Sequence, residues 1–327
     1  SSMTYRRCGR SGLKLPQISL GLWYNFGGPD NPETALDMLR FAWDSGITHF
    51  DLANIYGPPK GEAERFFGNI LRHEFDGHRD QMVISTKAGW PMWDGPYGDF
   101  GSRKHLISSL DQSLSRMGLE YVDIFYHHRP DTCTPLEETM GALDHCVRQG
   151  KALYAGVSGY NAEQSRQAFR ILNRLGTPCL IHQPLFNLFS RGASSNLFPL
   201  LEKEGVGCIP YSPLAQGLLT DRYLNGFVPS GSRAAKPHGY LKEDALTTRK
   251  LEILHSLNEM ALSRGQTLAA MCLAWVCQHR VVTSVLIGAS HPRQIESNLQ
   301  ALNSPEFSEQ EIQSILDIVQ NENEDRG

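Results

Sequence analysis

The chain has 327 residues, 40% of them hydrophobic and 20% charged, with a formal net charge of −4. Such hydrophobic content with so little net charge excludes a disordered chain, and the charge balance leaves no footprint for nucleic acid. No apolar run approaches the roughly 20 residues of a membrane span, so no membrane partner is expected. Ser1-Ser2 ahead of Met3 reads as a non-native addition and is set aside. Arg6-Arg7 is followed by polar residues, so it reads as a surface charge pair and not as an export signal. Residues 4–16 place Gly9-Arg10-Ser11-Gly12 between two short extended runs, the pattern of a β-hairpin.

Eight β-rich runs follow, at 18–23, 48–53, 82–88, 122–128, 152–158, 179–184, 207–214 and 284–289. All but the last are spaced by about 26 to 40 residues, room for a strand, a loop and a helix in each unit. Several are apolar without strict alternation, as parallel strands covered on both faces require. The intervening segments carry helical periodicity. Pro32-Glu33 opens a helix reaching about residue 45. Ser102 is placed to N-cap a second, with Leu106, Leu110 and Leu114 on one face, and Pro135-Leu136-Glu137-Glu138 opens a third. Asn161, Thr267 and Ser308 are further N-caps. Between the seventh and eighth runs lie about 75 residues, beginning with a Gly/Ser/Pro-rich loop over 216–247 and continuing into two helices. A loop of that length is usually functional.

Eight alternating units imply either a closed (β/α)8 barrel or a doubly wound sheet. The nucleotide-binding form of the latter wants G-x-G-x-x-G after its first strand, and that motif occurs nowhere. The expected fold is therefore α/β, a (β/α)8 TIM barrel over residues 3–327 as one domain, with an N-terminal β-hairpin and a long loop after strand seven. The seven cysteines form no C-x-x-C pair and no metal-ligand spacing; they read as reduced core thiols of a cytoplasmic protein.

Barrels of this type carry their chemistry at the carboxyl ends of the strands. Asp51 ends run two, with Tyr56-Gly57 in the loop beyond. Lys87 ends run three, His127-His128 run four, Gln183 run six and Tyr211-Ser212-Pro213 run seven. Alone, each reads as a surface charge or a packing group; gathered at one end they make a site. A phenol has a pKa near 10, and a neighbouring ammonium favours its ionised form. A carboxylate keeps that ammonium charged, and a histidine can orient a carbonyl oxygen beside the phenol. Such a set protonates a carbonyl oxygen while its carbon is reduced. No H-E-x-x-H competes, and Gly156-Val157-Ser158-Gly159 misses the nucleophile elbow by one position.

The pieces Asp51-x4-Tyr56-Gly57, Ser85-Thr86-Lys87, His128-Arg129-Pro130 and Gly156-Val157-Ser158 resemble the aldo-keto reductases over nearly the whole chain. The resemblance implies a barrel that reduces small carbonyls with NADPH, oxidised to NADP+, without metal or flavin. Tyr56 is then the general acid, Lys87 tunes it, Asp51 pairs with Lys87 and His128 orients the carbonyl. The segment 123–131, Gly288-Ala289-Ser290 and the long loop resemble the branch of potassium-channel β subunits and bacterial L-glyceraldehyde 3-phosphate reductases. This implies a reductase of small aldehydes, such as L-glyceraldehyde 3-phosphate and methylglyoxal, and a homo-oligomer. Channel β subunits typically carry Asn at the position of His128, so the full tetrad favours an active reductase over a cofactor-sensing regulatory subunit. A barrel lyase or isomerase acting on phosphosugars is a third reading.

The resemblance also implies the cofactor contacts. Gly21 and Trp23 lie beside the nicotinamide ribose, Asp51 also contacts the cofactor, Ser158 and Gln183 hold the carboxamide, and Tyr211 stacks on the ring. Ser212, Pro213, Leu214 and Gly217 follow the pyrophosphate. Arg222 and Arg233 are cations for the 2′-phosphate, since the guanidinium fork binds phosphate bidentately. Gly288, Ser290, Gln294 and Asn298 match the adenosine-phosphate segment. Gly159 and Ser297 depart from the family pattern, where Asn or Arg and Glu are usual, and each departure removes a cofactor contact. Trp23, Tyr24, Trp90 and Trp93 are expected to wall the substrate pocket, joined by Tyr97, and Arg129 to make a structural ion pair, with a role as substrate-phosphate ligand as the alternative.

Overall fold

In a computed structural model that describes residues 3–224 and 246–323, strands and helices alternate along the chain. The first two strands, β1 (Tyr5–Arg7) and β2 (Lys14–Pro16), pair antiparallel as the expected hairpin. Eight parallel strands follow: β3 (Ile18–Gly21), β4 (His49–Asp51), β5 (Val83–Ala88), β6 (Val122–His127), β7 (Ala152–Ser158), β8 (Cys179–Gln183), β9 (Gly207–Cys208) and β10 (Val285–Ile287). They are ordered β10-β3-β4-β5-β6-β7-β8-β9. Thr283 N donates to Cys208 O at 2.8 Å and Leu286 N to Pro210 O at 3.1 Å, bringing the last strand back to β9. The result is a (β/α)8 barrel.

The helices are α1 (Pro32–Asp44), α2 (Glu62–Glu74), α3 (Arg103–Met117), α4 (Leu136–Arg148), α5 (Ala162–Leu175), α6 (Leu197–Glu204), α7 (Thr248–Ser263), α8 (Leu268–Cys277), α9 (Pro292–Leu299) and α10 (Glu309–Val319). Their starts follow local chemistry. Ser102 and Thr267 accept a backbone N–H of the first turn, and Asn161 and Ser308 form full capping boxes. α8 is apolar on every side because it is buried all round. No helix among the described residues is long and apolar enough to cross a membrane.

Three expectations need adjustment. Run seven extends to 214 in the sequence, but β9 holds only Gly207–Cys208. Pro210 and Pro213 have no N–H to donate, so the regular ladder stops and continues only as an isolated bridge between Leu185 and Tyr211. Arg6 is not a free surface charge: its Nη1 donates to Cys277 O and Val282 O, tying the hairpin to the base of the barrel. Among the cysteines, six are buried, but Cys133 is exposed in the loop before α4. Burial pushes the Cys8, Cys146 and Cys179 thiols up to about 12, so these thiols stay protonated and inert.

Cys8 and Leu15 of the hairpin pack under the barrel with Ile124, Tyr126, Ile181 and Ile209, closing its amino end. The other end stays open, and the site forms there.

Candidate active site

Side chains alternate in and out along a strand. On β4, His49 and Asp51 share one face while Phe50 packs towards the helices. On β5, Ser85 and Lys87 share a face, whereas Thr86 on the other bonds Glu64 of α2 at 2.8 Å. The same period places Tyr126 and then His128 at the end of β6, and Gly156 and Ser158 at the end of β7. Gly156 is required: a Cβ there would lie 2.7 Å from the Tyr126 ring. Asp51, Lys87, His128 and Ser158 are thus the final inward positions of four neighbouring strands.

Asp51 and Lys87 are fully buried and paired. Lys87 Nζ donates to Asp51 Oδ2 at 2.5 Å and to Leu52 O at 2.7 Å. Burial lowers the Lys87 pKa, and the Asp51 carboxylate opposes that shift and favours the charged ammonium. The same Nζ sits 4.8 Å from the centre of the Tyr56 ring. Tyr56 lies in the loop after β4, held between Trp23, stacked at 5.8 Å, and the edge-on ring of His128 at 6.2 Å. His128 is half-buried, and its pKa is driven well below 6.5 by loss of solvent and by the Lys87 charge. It is therefore a neutral ring at pH 7, able to donate one hydrogen bond. A phenol above an ammonium, beside a neutral imidazole, is equipped to deliver a proton to a carbonyl oxygen.

Tyr56, His128 and Trp90 line one end of a cavity of about 670 Å³, within the range of ligand sites. It continues past Gly21, Ser158, Gln183 and Tyr211 to Gly217 and Arg222, and ends at Gly288, Ser290, Gln294 and Asn298. Such a trough, aromatic at one end and rich in small residues, hydrogen-bonding groups and a guanidinium at the other, suits a long molecule with a flat ring and anionic phosphates.

The aldo/keto reductase family model matches residues 17–320. The chain belongs to the aldo/keto reductase family. It is 54% identical over 317 residues to an L-glyceraldehyde 3-phosphate reductase of Escherichia coli (strain K12), covering 96% of this chain and 91% of that protein. The counterpart in Escherichia coli O157:H7 is 53% identical over the same shares. A protein of Oryza sativa subsp. japonica named "Probable voltage-gated potassium channel subunit beta" is 36% identical over 322 residues, 97% of each chain.

In this aldo/keto reductase the tetrad residues Asp51, Tyr56, Lys87 and His128 come together, and so do the expected trough residues that the structure describes, except Asp51, which is fully buried and does not line the trough. Arg233 lies outside the described residues. Three pocket expectations fail. Tyr24 is buried behind Trp23, stacked on it at 5.5 Å, and does not line the cavity. Trp93 turns away to pack on His105 of α3 at 5.0 Å, because that ring offers burial the open mouth does not. Tyr97 is likewise outside it, 54% exposed. Arg129 makes the expected ion pair with Asp99, at 2.5 Å, and also donates to Gly89 O and stacks on Trp90. Ser297, a departure from the family pattern, still lines the trough, as does Gly159.

Sequence reasoning missed Lys60 and Asn25 in the mouth. Lys60 Nζ donates to Pro91 O at 2.5 Å and makes no ion pair among the described residues. Asn25 has a φ of 74° and sends its Nδ2 to Ala289 O at 3.0 Å, bridging the β3 and β10 loops. An Asn two residues past Trp23 and ahead of Gly27-Gly28 was the available signal for such a turn.

Proposed function

We propose that this aldo/keto reductase reduces small aldehydes, L-glyceraldehyde 3-phosphate and methylglyoxal among them, with NADPH as reductant and Tyr56 as general acid. The observation that carries the reading is the buried Asp51–Lys87 pair under the Tyr56 ring, with His128 beside it at the mouth of one trough. NADPH, when bound, supplies hydride equivalents to the carbonyl carbon. Tyr56 gives its phenolic proton to the carbonyl oxygen, and the Lys87 ammonium stabilises the phenolate left behind. Asp51 keeps Lys87 charged in a site that burial would otherwise discharge. His128 donates to the same oxygen and fixes its direction.

Gly21, Trp23, Ser158, Gln183 and Tyr211 would hold the nicotinamide half, and Ser212, Pro213, Leu214 and Gly217 the pyrophosphate. Arg222, whose Nη1 lies 3.6 Å from where a Cβ on Gly217 would sit, faces the phosphate path. With Arg233 it would take the 2′-phosphate, while Gly288, Ser290, Gln294 and Asn298 would hold the adenosine end. Trp23 and Trp90 would wall the substrate, and Lys60, which lines the same mouth, would meet a substrate phosphate. Residues 3–327 would act as one domain, as a cytoplasmic homo-oligomer.

The likeness to plant proteins named as channel β subunits favours a second reading, a cofactor-sensing regulatory subunit. One assay separates the two: NADPH and NADH oxidation against a panel of small aldehydes. The reductase reading expects turnover with NADPH, lost by about three orders of magnitude in Tyr56→Phe with NADPH binding retained. No turnover of any aldehyde would leave the regulatory reading, and full activity of Tyr56→Phe would refute the acid.

A further inference from the structure

Beneath the Asp51–Lys87 pair a file of polar side chains crosses the barrel interior. Ser284 Oγ lies 2.6 Å from Ser19 Oγ, and Ser19 Oγ lies 3.0 Å from His49 Nδ1. His49 Nε2 lies 2.9 Å from Ser85 Oγ, which donates to Asp51 Oδ1 at 2.6 Å. All five residues are wholly buried. They sit just before β10 and on the adjacent strands β3, β4 and β5, so the file follows the wall of the barrel up to its catalytic end.

Donor and acceptor rules fix its direction. An ionised carboxylate only accepts, so the single hydroxyl proton of Ser85 goes to Asp51. Ser85 Oγ must then accept from His49, which places the imidazole proton on Nε2. Burial keeps His49 neutral at pH 7, its pKa pushed down to about 4, so Nδ1 is an acceptor and Ser19 donates to it. Ser19, its proton used, accepts from Ser284. Every proton in the file therefore points towards Asp51. Aligned bonds in a dry interior polarise one another, so the last of them, onto Oδ1, draws carboxylate charge away from Oδ2 and Lys87.

We infer that His49 is a positioning residue of this reductase, acting through Ser85 to hold Asp51 and to set how much positive charge Lys87 presents to Tyr56. The inference rests on the reading of Tyr56 as the acid. The charged and titratable groups that bear on the file are Asp51 on β4 itself, Lys87 on β5, Glu64 on α2 through its field on Lys87, and Tyr126 on β6, whose ring centre is 5.6 Å from Lys87 Nζ. β3 and the start of β10 contribute the hydroxyls of Ser19 and Ser284.

The test is the pH dependence of kcat for NADPH-linked reduction of an aldehyde, with NADPH affinity followed by fluorescence, in Ser85→Ala, His49→Leu and His49→Gln. Without the donor, Asp51 keeps more of its charge and neutralises Lys87 more fully, so the phenol holds its proton more tightly. In Ser85→Ala and His49→Leu the alkaline limb of the profile should move up by about one pH unit, and kcat should fall about tenfold. This is one charge-assisted hydrogen bond passed on in part. NADPH affinity should stay within about twofold, since the file meets the trough only through the long 3.5 Å contact from Gln183 Nε2 to Asp51 Oδ1. His49→Gln restores an N–H near the Nε2 position and should bring the limb back towards wild type. A residue that merely packs the barrel would alter stability and leave the limb in place. An unmoved limb in Ser85→Ala, or in folded His49→Leu, overturns the inference; if His49→Leu does not fold, Ser85→Ala decides alone. Failure of the underlying reading is distinct, because Tyr56→Phe would then retain turnover.

Discussion

Acidification from pH 8 to pH 5 should cost this protein about 6 kcal/mol of folding stability through three histidines alone, before most carboxylates titrate. His49, His127 and His182 are wholly enclosed. Burial pushes their pKa values down to about 4, about 3 and about 4. Each is held in the neutral form by fixed partners: Ser19 and Ser85 for His49, the Tyr160 hydroxyl for His127, and the Tyr160 carbonyl for His182. In the unfolded chain each ring titrates near 6.5. Above that pH both states are neutral and the rings are silent. Below it the unfolded chain takes up protons that the folded one refuses, so unfolding is favoured until the folded rings titrate in turn near pH 4 to 3. At pH 5 each ring has crossed about 1.5 units of this window, about 2 kcal/mol apiece at 1.36 kcal/mol per unit. The assay is urea unfolding at half-unit steps between pH 8 and pH 5. The free energy should be flat down to about pH 7 and then fall with a slope approaching three protons. His182→Gln, which keeps an amide N–H for Tyr160 O, should remove about 2 kcal/mol of the difference between the two ends. A curve flat to pH 5, or the same acid slope in His182→Gln, would refute the argument.

Further outcomes follow from the site. Lys87→Met leaves Asp51 buried without its counter-charge; turnover should fall by about three orders of magnitude and unfolding free energy by about 3 kcal/mol, and a stable variant of normal turnover would contradict the pair's role. Arg222→Ala should raise the Kd for NADPH about tenfold and that for NADH less than about twofold, measured by fluorescence titration; equal losses would remove the 2′-phosphate role. Lys60→Gln should raise KM for L-glyceraldehyde 3-phosphate about tenfold and that for methylglyoxal, which carries no phosphate, less than about twofold. An equal change for both substrates, or none, would exclude Lys60 from phosphate recognition.

Much of the site was legible because each tetrad member sits at a strand end or in the loop after one. A β-rich run ending in Lys87 or in His127-His128 already implies a polar group at the catalytic end of a barrel. The helix starts at Ser102, Asn161, Thr267 and Ser308 were legible for the same local reason, since a capping side chain bonds within its own first turn. Where the reading failed, the deciding contact was one that strand or helix periodicity does not encode. Trp93 packs on His105 and Tyr24 on Trp23, so two aromatics that composition places in the pocket serve elsewhere. Arg6 bonds carbonyls more than 270 residues away. Lys60 carries no motif of its own and joins the mouth through its bond to Pro91 O.

By itself the sequence determined what is periodic and local. Eight runs with β propensity, each followed by an amphipathic helix, admit few topologies, and the residue types at the run ends define the chemistry. Only the tertiary structure decided which of those ends meet, how deeply Asp51 and Lys87 are buried, and that His49 points its Nε2 at Ser85 rather than into an apolar layer. The reason is physical. A strand position specifies a face, but the surroundings of that face, and hence the dielectric and the donors that set each charge, exist only once the barrel has closed.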